Sequence, residues 1–344
     1  MEYLIQNKEL YSKLKHKRKR SQMIKVSIIG AEALGATIAY ILAQKGLYDI
    51  NLIDPNQGQK AAGKALDIIQ SLAVKGESVS YSLKGSEQLQ DVMHSDVIVI
   101  ATGQNYSSQR NILYENASTI KDIAPYIKQY APEAFVIVAT QPVDSMAWHF
   151  QKLSDLPENK VVGLSGVLNA GRFKYYLSQR LKINVCDIHT FVIGAEHDQM
   201  LPLIAYTTLS GIPLVDYIEK NAISLDEVHG AINDTKKAQD NMFALLKESS
   251  YIAPAEGCVK ILEAYVFDKK CILSCSLNLN VIEPENDVYI GLPCIIGSNG
   301  VEEICSLKLS TQEEINFRQS LQTLLKQNIE LSFGSTFTRK KVAG

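Results

Sequence analysis

Six consecutive residues near the start of the chain have the types and spacing to hold a nucleotide. Gly30-Ala31-Glu32-Ala33-Leu34-Gly35 follows a β-rich run, Val26-Ser27-Ile28-Ile29, and leads into a segment from Ala36 to Gly46 with Ile38, Ile41 and Leu42 on one helical face. A second strand-like run, Asp49-Ile50-Asn51-Leu52-Ile53, ends at Asp54. Strand, glycine turn, helix, strand and terminal acid form the opening unit of a dinucleotide-binding domain. In that unit a helix N-terminus faces the diphosphate and the acid accepts hydrogen bonds from a ribose. One position departs from the pattern. The usual turn, G-x-G-x-x-G, has a middle glycine that lets backbone approach the diphosphate, and here that position is Glu32. Its side chain is expected to fill the approach and its charge to repel phosphate. Gly30 and Gly35 keep the tight turn and the helix–strand contact, so the expectation is a preserved scaffold with weakened cofactor binding.

The elements that must position such a site follow along the chain. Gly58 to Val74 reads as a helix and Val79 to Leu83 as a strand. Val97-Ile98-Val99-Ile100-Ala101 and Phe135-Val136-Ile137-Val138-Ala139 are continuous apolar runs, as buried parallel strands require. The first ends in Thr102-Gly103. A helix from about Asn111 to Tyr130 lies between them, with Pro125 marking a bend or boundary. Alternation of strand and helix implies α/β architecture with a doubly wound parallel sheet. From about Lys160 the pattern changes. Asn169 to Leu181, Ile223 to Ser249 and Pro254 to Phe267 read as helices. Asp187 to Ile193, Met200 to Thr208, Cys271 to Val281 and Asp287 to Ile296 read as strands, the last two antiparallel. Ser310 to Leu331 reads as a closing helix, capped by Ser310 or Thr311 with Glu313 and Glu314 in its first turn.

Bulk properties bound the function. The 344 residues suit two domains or one large α/β unit, and 46% hydrophobic with 21% charged residues is ordinary for a soluble globular protein. A net charge of −2 makes the whole chain a poor electrostatic match for nucleic acid or an anionic membrane, and no apolar run is long enough to span a bilayer. Cys186, Cys258, Cys271, Cys275, Cys294 and Cys305 form no C-x-x-C pair, so they read as reduced, cytoplasmic thiols rather than metal ligands. Residues 1–22, with Lys13, Lys15, Lys17, Arg18, Lys19 and Arg20, read as a basic tail or an upstream start, with a polyanion-binding arm as the sharper alternative. Residues 332–344 read as a polar tail.

Over nearly all of residues 23 to 331 the chain resembles the lactate/malate dehydrogenase family. The resemblance is carried by Ile28-Ile29-Gly30 with Asp54, Gly63-Lys64-Ala65-Leu66-Asp67, Ala101-Thr102-Gly103, Pro142-Val143-Asp144, Gly166-Val167-Leu168 with Arg172-Phe173, and Asp198 with Met200-Leu201-Pro202-Leu203. Tyr251 with Ala253-Pro254, Asp268-Lys269-Lys270, Gly291-Leu292-Pro293, Ile296-Gly297 and Asn299-Gly300-Val301 extend it. It implies a Rossmann-type dinucleotide-binding domain over 23–165, a mixed α+β substrate domain over 166–331, and a site between them. It also implies NAD as cofactor, bound by Gly30, Glu32, Gly35, Asp54, Thr102 and Gly103, a small carboxylate ligand, and a homodimer or homotetramer.

The family reduces a 2-keto acid with hydride from NADH. The resemblance therefore implies an arginine that clamps the substrate carboxylate, a histidine that protonates the carbonyl oxygen, an acid that orients and charges that histidine, and an arginine on a mobile loop. Arg172 matches the clamp. The orienting acid is replaced by Asn169. Without gaps, Glu196 in Gly194-Ala195-Glu196-His197-Asp198 takes the histidine's place; with compensating gaps, His197 does. On the mobile loop, shorter here, Gln109 falls at the polarising arginine's position with Arg110 beside it, and Tyr106, Ser107 and Ser108 stand where malate enzymes add an arginine. Gln141 replaces an asparagine at the site wall. Asp54 favours NAD over NADP.

These departures fall on the chemistry while the packing motifs survive. The first expectation is a dehydrogenase-fold protein impaired in ordinary hydride transfer that keeps carboxylate binding through Arg172. The second is an active 2-hydroxy-acid dehydrogenase using displaced His197 and Arg110. The third is an assembly role through the Gly63 to Val74 helix.

Overall fold

The computed structural model describes residues 23–77, 81–103 and 109–337. The first half alternates strand and helix: β1 (Ile24–Ile29), α1 (Ala33–Lys45), β2 (Tyr48–Ile53), α2 (Gly58–Val74), β3 (Leu83–Ser86), β4 (Val97–Ile100), α3 (Gln109–Tyr130), β5 (Phe135–Val138), α4 (Val143–Ser154) and β6 (Val161–Gly163). These six strands lie in the order β3-β2-β1-β4-β5-β6, all parallel. Chain order reverses between β1 and β4, and in such sheets ligands bind in the crevice beyond the carboxyl ends of the strands at that point. Gly30 leaves β1 there, and Thr102 and Gly103 follow β4.

The apolar runs explain why the sheet is central. Val97 and Val99 enter one core cluster and Ile98 and Ile100 the other, all with no exposed area. Phe135 and Ile137 divide from Val136 and Val138 in the same way. Alternation of faces with burial on both is what a continuous aliphatic strand needs, and each such side chain contributes roughly 1.5–3 kcal/mol.

The second half adds α5 (Gly166–Leu181), β7 (Ile188–His189), β8 (Val192–Gly194), β9 (Met200–Pro202), β10 (Thr208–Leu209), β11 (Ile212–Pro213), α6 (Leu214–Lys220), α7 (Leu225–Leu246), α8 (Ile252–Val266), β12 (Cys271–Asn278), β13 (Tyr289–Gly297), β14 (Gly300–Ile304) and α9 (Thr311–Phe337). Ser276 of β12 pairs antiparallel with Gly163 of β6, and β13 carries β8 and β14, so both halves share one 11-stranded sheet. β7, β10 and β11 form a separate small sheet.

Several boundaries differ from the sequence expectation. α3 runs through Pro125 without ending, because Ile123, Ala124 and Ile127 are buried on the sheet and hold the helix across the missing donor. The strand expected at Val79 to Leu83 instead begins at Leu83, its start lying partly outside the described residues. Met200 to Thr208 breaks into β9, a short 3-10 turn at Ile204–Tyr206 and β10. α4, β6 and β14 have no counterpart in the sequence reading.

Candidate functional site

The glycine turn is built as its spacing requires. Gly30 has φ +112°, and a Cβ there would lie 2.6 Å from the Ala101 carbonyl oxygen. At Gly35 a Cβ would meet the Gly30 oxygen at 1.8 Å, so helix α1 sits directly on the turn. Asp54 is buried. Its Oδ2 accepts from the Ala31 N–H (3.0 Å), and its Oδ1 accepts from the N–H groups of Asn56 (3.2 Å) and Gln57 (3.0 Å). The acid thus ties the turn after β1 to the turn after β2, and keeps acceptor capacity for a ribose hydroxyl.

Glu32 does not stand alone at the turn. It lines the cleft beyond the turn, but its carboxylate is held by Lys60 of α2, with Nζ–Oε1 2.5 Å, and by Gln57 Nε2 at 2.9 Å. Those hydrogen bonds, Lys60 first, hold its pKa below the ordinary carboxylate value. The charge at the turn is therefore largely compensated. Glu32 makes no side-chain cap on α1, so the helix's first N–H groups stay open for an anion.

Beyond the turn, a cleft of about 130 Å³ is lined by Glu32, Thr102, Asn116, Gln141, Gln239 and Ser250, among others. Thr140 Oγ1 donates to the Thr102 carbonyl at 2.5 Å, and Asn116 Nδ2 donates to the Gln141 carbonyl at 2.6 Å. Gly103 has φ +135° and lies against the Asn116 side chain.

Arg172 and Glu196 stand behind this wall. Arg172, on α5, donates from Nη2 to Gln239 Oε1 (2.8 Å) and Ser250 Oγ (3.3 Å), and from Nη1 to Asn169 Oδ1 (3.4 Å). All three partners are neutral, and the buried Nε has no hydrogen-bond partner among the described residues. Burial lowers the guanidinium's pKa, opposed by Glu196 and Tyr176. Asn169 is buried one helical turn before Arg172 and turns its oxygen to that arginine.

Glu196 follows β8. Its backbone N–H donates to Asp144 Oδ2 at 3.3 Å, and Asp144 Oδ1 accepts from the Ser276 hydroxyl at 2.5 Å. Its Oε2 is buried without a hydrogen-bond partner. Burial pushes the carboxyl up to about 7, against the pull of Arg172, the Val143 N–H and the Gln141 side chain. The structure therefore brings together Arg172, Asn169, Glu196 and Gln141. The side chains of Gln109, Arg110 and His197 lie outside the described residues, as do residues 1–22 and 104–108. Gln239, Ser250 and Asp144 were not foreseen as site residues; the only signal for Asp144 was its place in Pro142-Val143-Asp144. Among the described residues no group of three or more His, Cys, Asp or Glu could hold a metal ion, and no helix is long and apolar enough to cross a membrane.

Residues 24–163 match the model of the lactate/malate dehydrogenase NAD binding domain, and residues 167–335 match that of the lactate/malate dehydrogenase alpha/beta C-terminal domain. The chain belongs to the lactate/malate dehydrogenase family. It is 38% identical over 304 residues to a malate dehydrogenase of Anaplasma phagocytophilum, covering 87% of this chain and 94% of that one. Malate dehydrogenase of Cryptosporidium parvum superposes with a TM-score of 0.86 at 33% identity, covering 90% and 99% of the two chains. Lactate dehydrogenase of the same organism, solved with lactic acid and nicotinamide adenine dinucleotide, gives 0.85 at 33% identity, covering 91% and 99%. The α/β fold expected from sequence is the one observed, and the first half carries the family's NAD-binding architecture.

Proposed function

We propose that this protein is an active NAD-dependent dehydrogenase that interconverts a small 2-keto acid and its 2-hydroxy acid. The observation that carries this reading is Arg172, a half-buried cation whose described hydrogen bonds all go to neutral oxygens. A partly desolvated guanidinium with no carboxylate hydrogen-bonded to it is costly, and a substrate carboxylate entering through the Gln239 and Ser250 wall supplies one bidentately. The relatives' names, and the lactic acid and nicotinamide adenine dinucleotide in one neighbour, support the working enzyme over the impaired one.

The cofactor's site fits the residues present. The open N-terminus of α1 and the Gly30–Gly35 cradle suit the diphosphate, Asp54 suits a ribose, and Thr102 and Gly103 line the path between them and Gln141. When bound, the nicotinamide supplies or accepts hydride at the substrate's second carbon. Residues 23–165 are then the nucleotide half and 166–331 the substrate half. Titration of NADH fluorescence is expected to show saturable micromolar binding, with turnover of pyruvate, oxaloacetate or a longer 2-keto acid. Neither binding nor turnover would return the protein to the impaired class.

Two smaller expectations belong to this reading. Glu32→Gly frees the approach to the diphosphate and leaves Lys60 uncompensated beside it. NADH affinity is expected to rise by about fivefold, roughly 1 kcal/mol, and an unchanged Kd would show that the side chain is no obstacle. Assembly into a homo-oligomer through α2, where Leu66 and Val74 are exposed, predicts that Leu66→Glu lowers the sedimenting mass. An unchanged mass would place any interface elsewhere.

A further inference from the structure

We propose that Glu196 is the group that donates and takes back the proton at the substrate's oxygen, and that Asn169 is its matched partner, so that a glutamate–asparagine pair replaces the family's histidine–aspartate pair. The inference deepens the dehydrogenase reading and rests on it.

The first argument is charge parity. A protonated histidine beside an ionised aspartate has no net charge, and loses one unit when it gives up its proton. A protonated glutamate beside an asparagine also has no net charge, and also loses one unit. Arg172 and a substrate carboxylate therefore meet the same local charge in both proton states, although both residues have changed. Either change alone would break this parity. A glutamate with an aspartate at 169 would place two carboxylates in one buried site, and that aspartate would pair directly with Arg172, which already donates to the residue-169 side chain at 3.4 Å. A neutral amide there leaves the guanidinium for substrate.

The second argument is geometric. Glu196 Oε2 and Arg172 Nε are both buried and both lack hydrogen-bond partners among the described residues, yet each influences the other's charge. They are complementary ends of a site for a molecule with an acceptor oxygen and a carboxylate. Asp144 fixes the loop by accepting the Glu196 N–H, and is itself held by Ser276. The charged groups facing Glu196 are Arg172 from α5 and the Asp144 carboxylate from α4. On the following turn, Lys236 of α7 reaches the Asp198 carbonyl at 2.8 Å. Burial raises the carboxyl toward neutrality, so both proton states are accessible near pH 7, as a general acid–base group requires.

In the reducing direction the carbonyl carbon gains hydride, and the C=O π pair moves onto oxygen. The Glu196 O–H bond breaks as the new O–H bond forms, and Glu196 is left as a carboxylate opposite Arg172. Solvent returns the proton before the next turnover. Oxidation of the hydroxy acid reverses each movement. Unlike imidazole, a carboxyl needs no acid behind it to fix a tautomer, so the loss of that acid at 169 has a reason.

The test combines kinetics with a cofactor-free readout on the full-length chain. Glu196→Gln is expected to lower kcat by about 10²–10⁴-fold while NADH affinity by fluorescence stays within twofold. Glu196→Asp, with the acid kept one methylene short, should recover part of that loss, and circular dichroism checks that both variants fold. Without cofactor, infrared difference spectra between acid and alkaline pH should show a buried carboxyl titrating near neutrality in the wild type. That band should be missing in Glu196→Gln and moved to higher pH in Asn169→Asp. An active wild type with an equally active Glu196→Gln, or a band unaffected by that change, overturns the proposal alone. So does loss of activity in His197→Ala with Glu196→Gln unimpaired, which would assign the proton to His197. A wild type inert toward every 2-keto acid overturns the dehydrogenase reading and this proposal with it.

Discussion

Arg172→Lys is expected to lower kcat/KM for the 2-keto acid by about two to three orders of magnitude, roughly 3–4 kcal/mol of transition-state binding. Lysine keeps the positive charge, so the loss would measure geometry. The guanidinium presents a planar fork, and Nη2 reaches Gln239 and Ser250 while Nη1 reaches Asn169. A carboxylate that displaces Gln239 and Ser250 from Nη2 meets that donor beside the unpartnered Nε. An ammonium offers one point charge on a flexible stem, strongly hydrated and costly to bury. KM should carry much of the change, because the clamp also binds ground-state substrate, and kcat should fall as the carbonyl is misplaced. NADH affinity should be unchanged, since Arg172 does not line the cleft at the glycine turn. A loss below tenfold would mean that the substrate carboxylate is held elsewhere.

How far this site was legible in the sequence depends on how local each feature is. The parallel strands were legible because Val97 to Ile100 and Phe135 to Val138 need burial on both faces, and only a covered sheet provides it. α2 was legible to both its ends, Gly58 and Val74, from helical periodicity alone. α4 carried ordinary helix signals, Pro142 at its N-cap and the stripe of Val143, Met146, Ala147 and Phe150, but they overlap the Pro142-Val143-Asp144 motif, which drew the reading to chemistry instead. β6 is three residues long, and pairs with β12 through a contact more than a hundred residues distant. Arg172 was legible through its motif, but its partners Gln239 and Ser250 lie 67 and 78 residues away. The Lys60 that holds the Glu32 carboxylate lies 28 residues away, beyond the reach of any local pattern. Glu196 was the instructive position. Read by residue type it was a lost histidine, and only burial, with a neutral amide at 169, turns it into a different acid. A substituted catalytic position therefore amounts to loss only where its neighbours carry no compensating change.

The pH dependence of stability gives a check on Glu196 that involves neither substrate nor cofactor. Its carboxyl is raised from an ordinary 4.5 to about 7 in the folded chain. The folded state therefore holds this proton more tightly than the unfolded state. The resulting stabilisation is fully present below about pH 4.5 and is lost as pH rises through about 7. A shift of this size corresponds to about 3 kcal/mol, an upper figure because water can enter and relax the site. Glutamine has no proton to lose, so urea denaturation of Glu196→Gln should lack this component. Relative to wild type, the variant is expected to gain about 2–3 kcal/mol between pH 5 and pH 8. Carboxylates such as Glu32, Glu263 and Glu283, held low by hydrogen bonds to lysine or arginine, produce the opposite slope, but they cancel in the difference between the two proteins. A difference that is flat with pH would show that Glu196 titrates as an ordinary exposed acid, and the proton-transfer role would lose its physical basis. Arg172→Ala sharpens the comparison. The guanidinium favours the ionised carboxylate, so removing it should move the upper end of the window to still higher pH. A window that stays in place would mean that the two groups do not sense each other, and a substrate held by one would then have no electrical route to the proton on the other.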